Sequence, residues 1–258
     1  MSKFSMPVHW YMSTPVHTVS DQIDVNALHH RFIKLGVSSL PVIDADGGLV
    51  GVISRTDVLR VSHQPADSDA APLLTMPELG ASDIMSRDVL TVDHDDSVGR
   101  ASSAMLENAV HRVYVTKDGN VTGVLSARDV LPAVVDLRVP TPASKFMSTP
   151  LLVIGENEAI DNAMSLLEQA QISGVVVLGD AGPLGIFTQA EALQCRNLPR
   201  HTRVADAMDR SIITLHASTP MYLAAEQALE SNSRRIVVTD EQDVRGIVTA
   251  LDFVRAAG

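Results

Sequence analysis

The chain has one cysteine, Cys195, so it cannot close an intrachain disulfide, and a structural zinc site built on cysteines is excluded. Aromatic residues are only 3% of the 258 positions, so the core must be aliphatic; at 45% apolar the sequence has enough Val, Leu, Ile, Ala and Met to build one. Positive charge is scarce. Twenty Lys and Arg face thirty-one Asp and Glu, and the net charge of −11 argues against nucleic acid or an anionic membrane as a general partner while leaving room for a local basic pocket. No apolar run approaches the roughly 20 residues that span a bilayer. The start, Met1-Ser2-Lys3-Phe4-Ser5-Met6-Pro7, lacks the apolar stretch of a signal peptide, so a cytoplasmic protein is expected. Catalytic signatures are missing too: there is no nucleophile–base–orienter set, no phosphate-binding P-loop and no carboxylate pair with a reason to differ in pKa, and no enzyme is expected. His29-His30 are adjacent rather than one helical turn apart, so no metal site is expected either.

What the chain does have is a stretch repeated four times. Gly51-Val52-Ile53-Ser54-Arg55-Thr56-Asp57 returns as Gly123-Val124-Leu125-Ser126-Ala127-Arg128-Asp129, as Gly185-Ile186-Phe187-Thr188-Gln189-Ala190-Glu191 and as Gly246-Ile247-Val248-Thr249-Ala250-Leu251-Asp252. The starts at 51, 123, 185 and 246 give periods of 72, 62 and 61. A second marker agrees: methionines at 12, 85, 147 and 208 are spaced by 73, 62 and 61, and their recurrence at one position indicates core packing. The stretch reads as a strand running into a helix, its hydroxyl residue at the cap and its acid in the first turn. Two roles are open to it. It can be a capping box alone, or its helix N-terminus can face an anion while the acid accepts hydrogen bonds from a ribose diol.

Each copy opens with an extended lead-in such as Met12-Ser13-Thr14-Pro15. A helix follows in repeat one, with Val25, Leu28, Phe32 and Leu35 on one face, Asp21 or Ser20 as cap and Gly36 as its end. Strands at 40–43 and 49–53 flank the turn Asp44-Ala45-Asp46-Gly47-Gly48, and Ser54 opens a second helix to about Val61. The unit is β-α-β-β-α, an α/β class. Residues 62–80 are a Pro- and Asp-rich linker, and 136–144 a central hinge. Repeat two has Val98, Ala101 and Met105 on its first helix and a turn at Lys117-Asp118-Gly119-Asn120; the fourth hairpin turns at Asp240-Glu241-Gln242-Asp243. Trp10 is expected to plug an edge or to stack on a base.

Four copies of Met-x-x-x-hydrophobic-x-Thr-Val, helix, Leu-Pro-Val-Ile-Asp and Gly-hydrophobic-hydrophobic-Ser-x-x-Asp resemble the cystathionine-β-synthase (CBS) domain family from about Val8 to the end. The four-repeat layout is similar to that of the γ subunit of AMP-activated kinase. The resemblance implies repeats at 8–61, 81–135, 143–196 and 203–258, paired into Bateman modules at 1–136 and 137–258. It also implies adenosine ligands (AMP, ADP, ATP or S-adenosylmethionine) bound in clefts between paired repeats, a regulatory role, an unidentified protein effector and a homodimer. One module-one cleft would join Thr18, Ser38 and Ser39 with Ser126 and Asp129; the other would join Thr91, His111 and Arg112 with Ser54 and Asp57. Arg55 and Arg128 could reach phosphates. In module two, Val153 replaces the Thr-Val threonine and Glu191 the ribose acid. One cleft there pairs Val153 with Thr249 and Asp252, the other Thr214, Arg234 and Arg235 with Thr188 and Glu191, and weaker binding is expected. The alternative is a ligand-independent dimerisation or interaction scaffold.

Overall fold

The computed structural model describes residues 4–241 and 243–257; Met1, Ser2, Lys3, Gln242 and Gly258 lie outside them, and with Gln242 one residue of the expected turn Asp240-Glu241-Gln242-Asp243. The α/β class and the four β-α-β-β-α repeats are those the sequence predicts. Repeat one is β1 (Val19–Ser20), α1 (Val25–Leu35), β2 (Ser39–Ile43), β3 (Leu49–Ser54) and α2 (Arg55–Ser62). A short α3 (Ala81–Ile84) leads to repeat two: β4 (Thr91–Asp93), α4 (Val98–Glu107), β5 (Arg112–Lys117), β6 (Asn120–Ser126), a 3-10 turn at Ala127–Val130 and α5 (Leu131–Asp136). Repeat three is β7 (Val153–Gly155), α6 (Ile160–Gln169), β8 (Gly174–Gly179), β9 (Gly182–Thr188) and α7 (Gln189–Gln194). Repeat four is β10 (Ile213–His216), α8 (Met221–Glu230), β11 (Arg235–Asp240), β12 (Asp243–Thr249) and α9 (Ala250–Ala257).

Each repeat makes its own three-stranded sheet, a parallel pair extended by an antiparallel hairpin, in the orders β1-β2-β3, β4-β5-β6, β7-β8-β9 and β10-β11-β12. The parallel step needs a crossover, which α1, α4, α6 and α8 supply. Apolar residues at helical spacing turn inward: Val25, Leu28 and Phe32 on α1, and Val98, Ala101 and Met105 on α4, are buried. Gly36 ends α1 in the left-handed conformation at φ 65°, as expected. The start of α1 differs from expectation. Asp24, not Asp21 or Ser20, takes the Ala27 N–H at 2.8 Å, because residues 20–23 form a turn before the helix begins.

The chain divides into two compact units. One holds the chain up to Val16, Leu90–Leu151 and the chain from Ile212, that is, repeats two and four. Its core joins Val98, Met105, Leu131 and Val134 to Met221, Ala224, Ala228, Phe253 and Val254, with α4 packed on α9 and α5 on α8. The other holds His17–Val89 and Leu152–Ser211, repeats one and three, around Leu28, Phe32, Val58, Ile160, Met164, Phe187 and Leu193. The units therefore cut across the expected spans 1–136 and 137–258.

Two stretches expected as spacers are built into these cores. In the linker, Leu73 and Leu74 are buried and their N–H groups donate to Leu198 O at 2.9 Å and Arg196 O at 3.0 Å. His63 stands between two acids of α6, with Nε2 3.0 Å from Asp161 and Nδ1 3.0 Å from Glu168, while Arg200 reaches the same Asp161 at 2.8 Å. In the central hinge, Ala143 is buried and donates its N–H to Thr219 O. Proline-rich composition hid this anchoring, because two leucines carry it and set no period. His29 is buried on α1 while His30 faces solvent; burial, then the nearby Arg196, His30 and Arg55 charges, push the His29 pKa down to about 4. Burial also raises the Cys195 thiol. Among the described residues no helix is long and apolar enough to cross a membrane.

Candidate functional site

The lead-in segments are exchanged between repeats. Ser13 pairs by two backbone hydrogen bonds with Val124 of repeat two, and Ser86, ahead of repeat two, pairs with Val52 of repeat one. Ser148 pairs with Ile247, and Asp209 with Ile186. This crossing explains the two sequence markers together. The repeated glycine is the residue against which the other repeat's lead-in methionine packs. A Cβ on Gly51 would sit 2.5 Å from Met85 Sδ and 2.8 Å from Ser86 O, and one on Gly246 would sit 2.7 Å from Ser148 O. Gly123 meets Met12 in the same way, and Gly185 meets Met208 and Asp209. Only glycine leaves room for such backbone approach.

The exchange delivers a lead-in hydroxyl to the acid of the repeated box. In repeat two, Asp129 Oδ2 accepts the Ser126 N–H at 2.7 Å and the Ser126 hydroxyl at 2.6 Å, and its other oxygen, Oδ1, accepts the Ser13 hydroxyl at 3.1 Å. The other boxes keep the first arrangement and change the second. Asp57 Oδ2 accepts Ser54 N–H at 2.8 Å and Ser54 Oγ–H at 2.7 Å, but its Oδ1 faces Arg60 Nη2 at 3.3 Å. Asp252 Oδ2 accepts the Thr249 N–H at 2.6 Å and hydroxyl at 3.0 Å, and its Oδ1 lies 2.9 Å from Arg255 Nη1. Asp252 is 0% exposed, and burial first of all raises its carboxyl pKa against the pull of Thr249, Arg255 and Ser148. Glu191 closes its box on the Thr188 N–H at 3.0 Å and on the Thr188 hydroxyl. The arginine clamp comes from the residue three positions after the acid. That residue is Arg60 or Arg255 in two boxes, Gln194 in the third and Pro132 after Asp129, so the Asp129 box has no arginine at that position and its Oδ1 accepts the exposed Ser13 hydroxyl.

The helix N-termini themselves offer less than the sequence suggests. In three of the four boxes the first N–H after the hydroxyl residue is already spent: Arg55 N–H donates to Ser38 O at 3.0 Å, Ala127 N–H to His111 O at 2.8 Å, and Gln189 N–H to Ser173 O at 3.3 Å. The residues ahead of the β2, β5 and β8 strands are thereby fixed to the box of their own repeat.

Three arginines and a histidine gather in the unit of repeats two and four. Burial lowers the pKa of His111, and Arg112 and Arg235 lower it further; Arg112 is lowered by burial and by Arg234, with Tyr114 and Asp129 opposing. The His111-Arg112 and Arg234-Arg235 pairs therefore feel one another, a local positive field in a chain of net charge −11. Arg128 turns to repeat four instead, where Nη2 donates to Asn232 Oδ1 at 2.6 Å. Thr91 and Thr214 are exposed on β4 and β10 in this unit. In the other unit Thr18 is exposed before β1, Ser39 is buried and Ser38 half-buried, and Thr56 of box one bonds Gln189 of box three. Sequence reasoning missed Ser13, Asn232 and the Thr56–Gln189 pair. The first had a signal, since a serine follows the lead-in methionine at 13, 86 and 148; the other two had none.

The family model described as "CBS domain" matches residues 8–64, 81–136, 143–196 and 204–258. The chain belongs to the CBS domain family. An uncharacterised protein of Methanocaldococcus jannaschii is 25% identical to it over 180 residues, 64% of this chain and 41% of that protein. An uncharacterised 33.4 kDa protein of Thermofilum pendens is 26% identical over 213 residues, 78% of this chain and 66% of that one. The chain thus spans less than two thirds of either relative's length. A solved structure from M. jannaschii, proposed as an archaeal homologue of g-AMPK, superposes with a TM-score of 0.83 at 17% identity, covering 98% of this chain and 100% of that chain. At that identity it speaks for the fold of four CBS repeats.

Proposed function

We propose that this CBS protein is a regulatory sensor of an adenosine-containing ligand and that the Asp129 box is its principal ribose site. The observation that carries the reading is the second oxygen of Asp129. It accepts the Ser13 hydroxyl at 3.1 Å, where Asp57 and Asp252 each have an arginine of their own helix within 3.3 Å. A ribose diol can replace one hydroxyl donor with two at little cost, whereas displacing a guanidinium from a carboxylate forfeits a charge-assisted bond. Arg112, Arg234 and Arg235, in the same unit as Asp129, supply the field for phosphate. The second-ranked box is that of Asp57; the boxes of Thr188 and of Thr249 with Asp252 are structural. The exchanged lead-ins support repeats one and two (1–136) and repeats three and four (137–258) as the functional modules. Ligand bound by one repeat of a pair bears on the other's lead-in, and a conformational change follows only if the two arrangements bind it unequally. A protein effector reads that change, and the protein works in the cytoplasm as a homodimer.

Calorimetric titration with AMP, ADP, ATP and S-adenosylmethionine tests this. Saturable binding that disappears in Asp129→Ala and persists in Asp252→Ala is the expected result. No binding of any of the four by folded, ligand-free protein would replace the sensor with the interaction scaffold, a role the fully buried Asp252 box already fits.

A further inference from the structure

The sequence offered no metal site; of the adjacent His29-His30 pair one ring is buried and the other exposed. A different histidine pair, 85 positions apart in the chain, is brought together in the unit of repeats two and four. His9 lies in a 3-10 turn, Val8–Trp10, and His94 in the turn between β4 and α4. Their rings stack with centroids 4.2 Å apart and planes 8° from parallel. Both Nδ1 atoms face one carboxylate oxygen: Asp95 Oδ1 is 3.5 Å from His9 Nδ1 and 3.1 Å from His94 Nδ1. Among the described residues this is the one group of three potential ligand atoms lying within 4.8 Å of one another.

The geometry points to a site for a divalent transition cation of the zinc, nickel or copper type, ligated by His9 Nδ1, His94 Nδ1 and an Asp95 oxygen. Metal–ligand lengths of about 2.0–2.2 Å in a tetrahedron require ligand atoms roughly 3.3–3.6 Å apart; the His9–Asp95 separation of 3.5 Å falls in that range and the His94–Asp95 separation of 3.1 Å lies just short of it. Two imidazoles and one carboxylate suit borderline metals and leave a position for water, which the 77% exposure of the Asp95 side chain provides. Both rings then take the tautomer with the proton on Nε2, and His9 gives up its present contact with His94 O at 3.0 Å. The backbone beneath is already set. Val8 is buried and donates its N–H to Asp96 O at 2.8 Å, Val98 N–H donates to Met6 O at 2.8 Å, and His94 N–H donates to Thr116 O at 2.9 Å. Only a ring rotation and a swing of Asp95 remain, so little ordering entropy opposes binding. Asp93 and Asp96 in the same turn add negative charge, Arg100 offsetting part of it at 2.9 Å from Asp96. A bound cation would fasten the N-terminal segment, and with it Ser13, to repeat two.

Trp10 gives a local reporter, being the single tryptophan of the chain, 66% exposed, with its ring centroid 6.4 Å from that of His9. Chelator-stripped protein is titrated with Ni²⁺ while tryptophan emission is read, and bound Zn²⁺ is counted by equilibrium dialysis. The expected result is saturable quenching, reversed by excess Zn²⁺ or chelator, with one Zn²⁺ bound per chain at micromolar metal. His9→Ala and His94→Ala should each weaken binding by about tenfold or more, the least that losing even an outer-sphere partner costs such sites. Asp95→Asn, an exposed change that leaves folding intact, should weaken it in the same direction, and His201→Ala should leave it unchanged. Quenching that does not saturate, or a midpoint that is the same in His9→Ala, His94→Ala and Asp95→Asn as in the parent, would overturn the site.

Discussion

The boxes of repeats two and four lie in one compact unit and share one motif, yet they present their acids differently. Ser126 and Asp129 close on each other much as Thr249 and Asp252 do, with the hydroxyl and the N–H of the first residue both on Oδ2. The difference lies one turn further on. Arg255 stands 2.9 Å from the second oxygen of Asp252, whereas the residue at that position after Asp129 is Pro132, and the second oxygen of Asp129 accepts the Ser13 hydroxyl. The capping role is thus common to both, and availability to a ligand is decided outside the motif.

The strongest way to break this contrast is to remove the acids one at a time. Asp129→Ala should weaken adenosine-ligand binding about a hundredfold in calorimetry, two hydrogen bonds to a charged group being worth roughly 1.5–3 kcal/mol each. Asp252→Ala should leave the affinity within about twofold and cost stability instead. Equal losses of affinity would erase the distinction. A second contrast concerns the exchanged lead-ins. Gly246→Ala meets backbone at Ser148 O, while Gly123→Ala meets only the flexible end of Met12, so Gly246→Ala should lower the thermal midpoint more. Its cost should be about 1–3 kcal/mol, or roughly 2–4 °C for each, in a melt of this size of chain.

Two pH experiments probe the buried groups. The Asp252 carboxyl is raised, so the folded chain holds its proton to higher pH than the unfolded chain does. That contribution to stability is complete below the ordinary carboxylate value and is lost as pH rises through the raised one; Asp252→Asn should flatten this part of the stability–pH curve. His29 in the other unit has the opposite sign. With its pKa held near 4, it favours the folded state above the ordinary value of 6.5, and that stability is lost as pH falls towards 4. His29→Leu should remove the acid sensitivity, measured as a smaller drop in thermal midpoint between pH 7 and 5. The smallest effect belongs to Ser13→Ala. Freeing Asp129 Oδ1 should tighten ligand binding by a few-fold, since a hydrogen bond of about 0.5–1.5 kcal/mol no longer competes. Weaker binding would mean that Ser13 serves the ligand rather than standing in its place.

Much of the fold was legible because it is written in local periods. Val25, Leu28 and Phe32 fix the buried face of α1, Gly36 its end, and the box hydroxyls the change from strand to helix. The first cap was misread because Ser20, Asp21 and Asp24 are all competent, and the chosen one depends on where the chain turns after β1. The linker was misread because Leu73 and Leu74 find their partners at Arg196 and Leu198, more than a hundred residues on. Trp10, for which plugging an edge was one of two expectations, plugs none and stands exposed beside His9.

The sequence by itself determined the repeat, the class and the box, because helix periodicity, strand alternation and capping are settled within about ten residues of chain. Only the tertiary structure decided which glycine receives which methionine, which acid is left with a replaceable donor, and that His9 meets His94. Those outcomes depend on contacts between segments from about 20 to more than 100 residues apart, as Ser13 and Asp129 are, and nothing in the local sequence encodes the meeting.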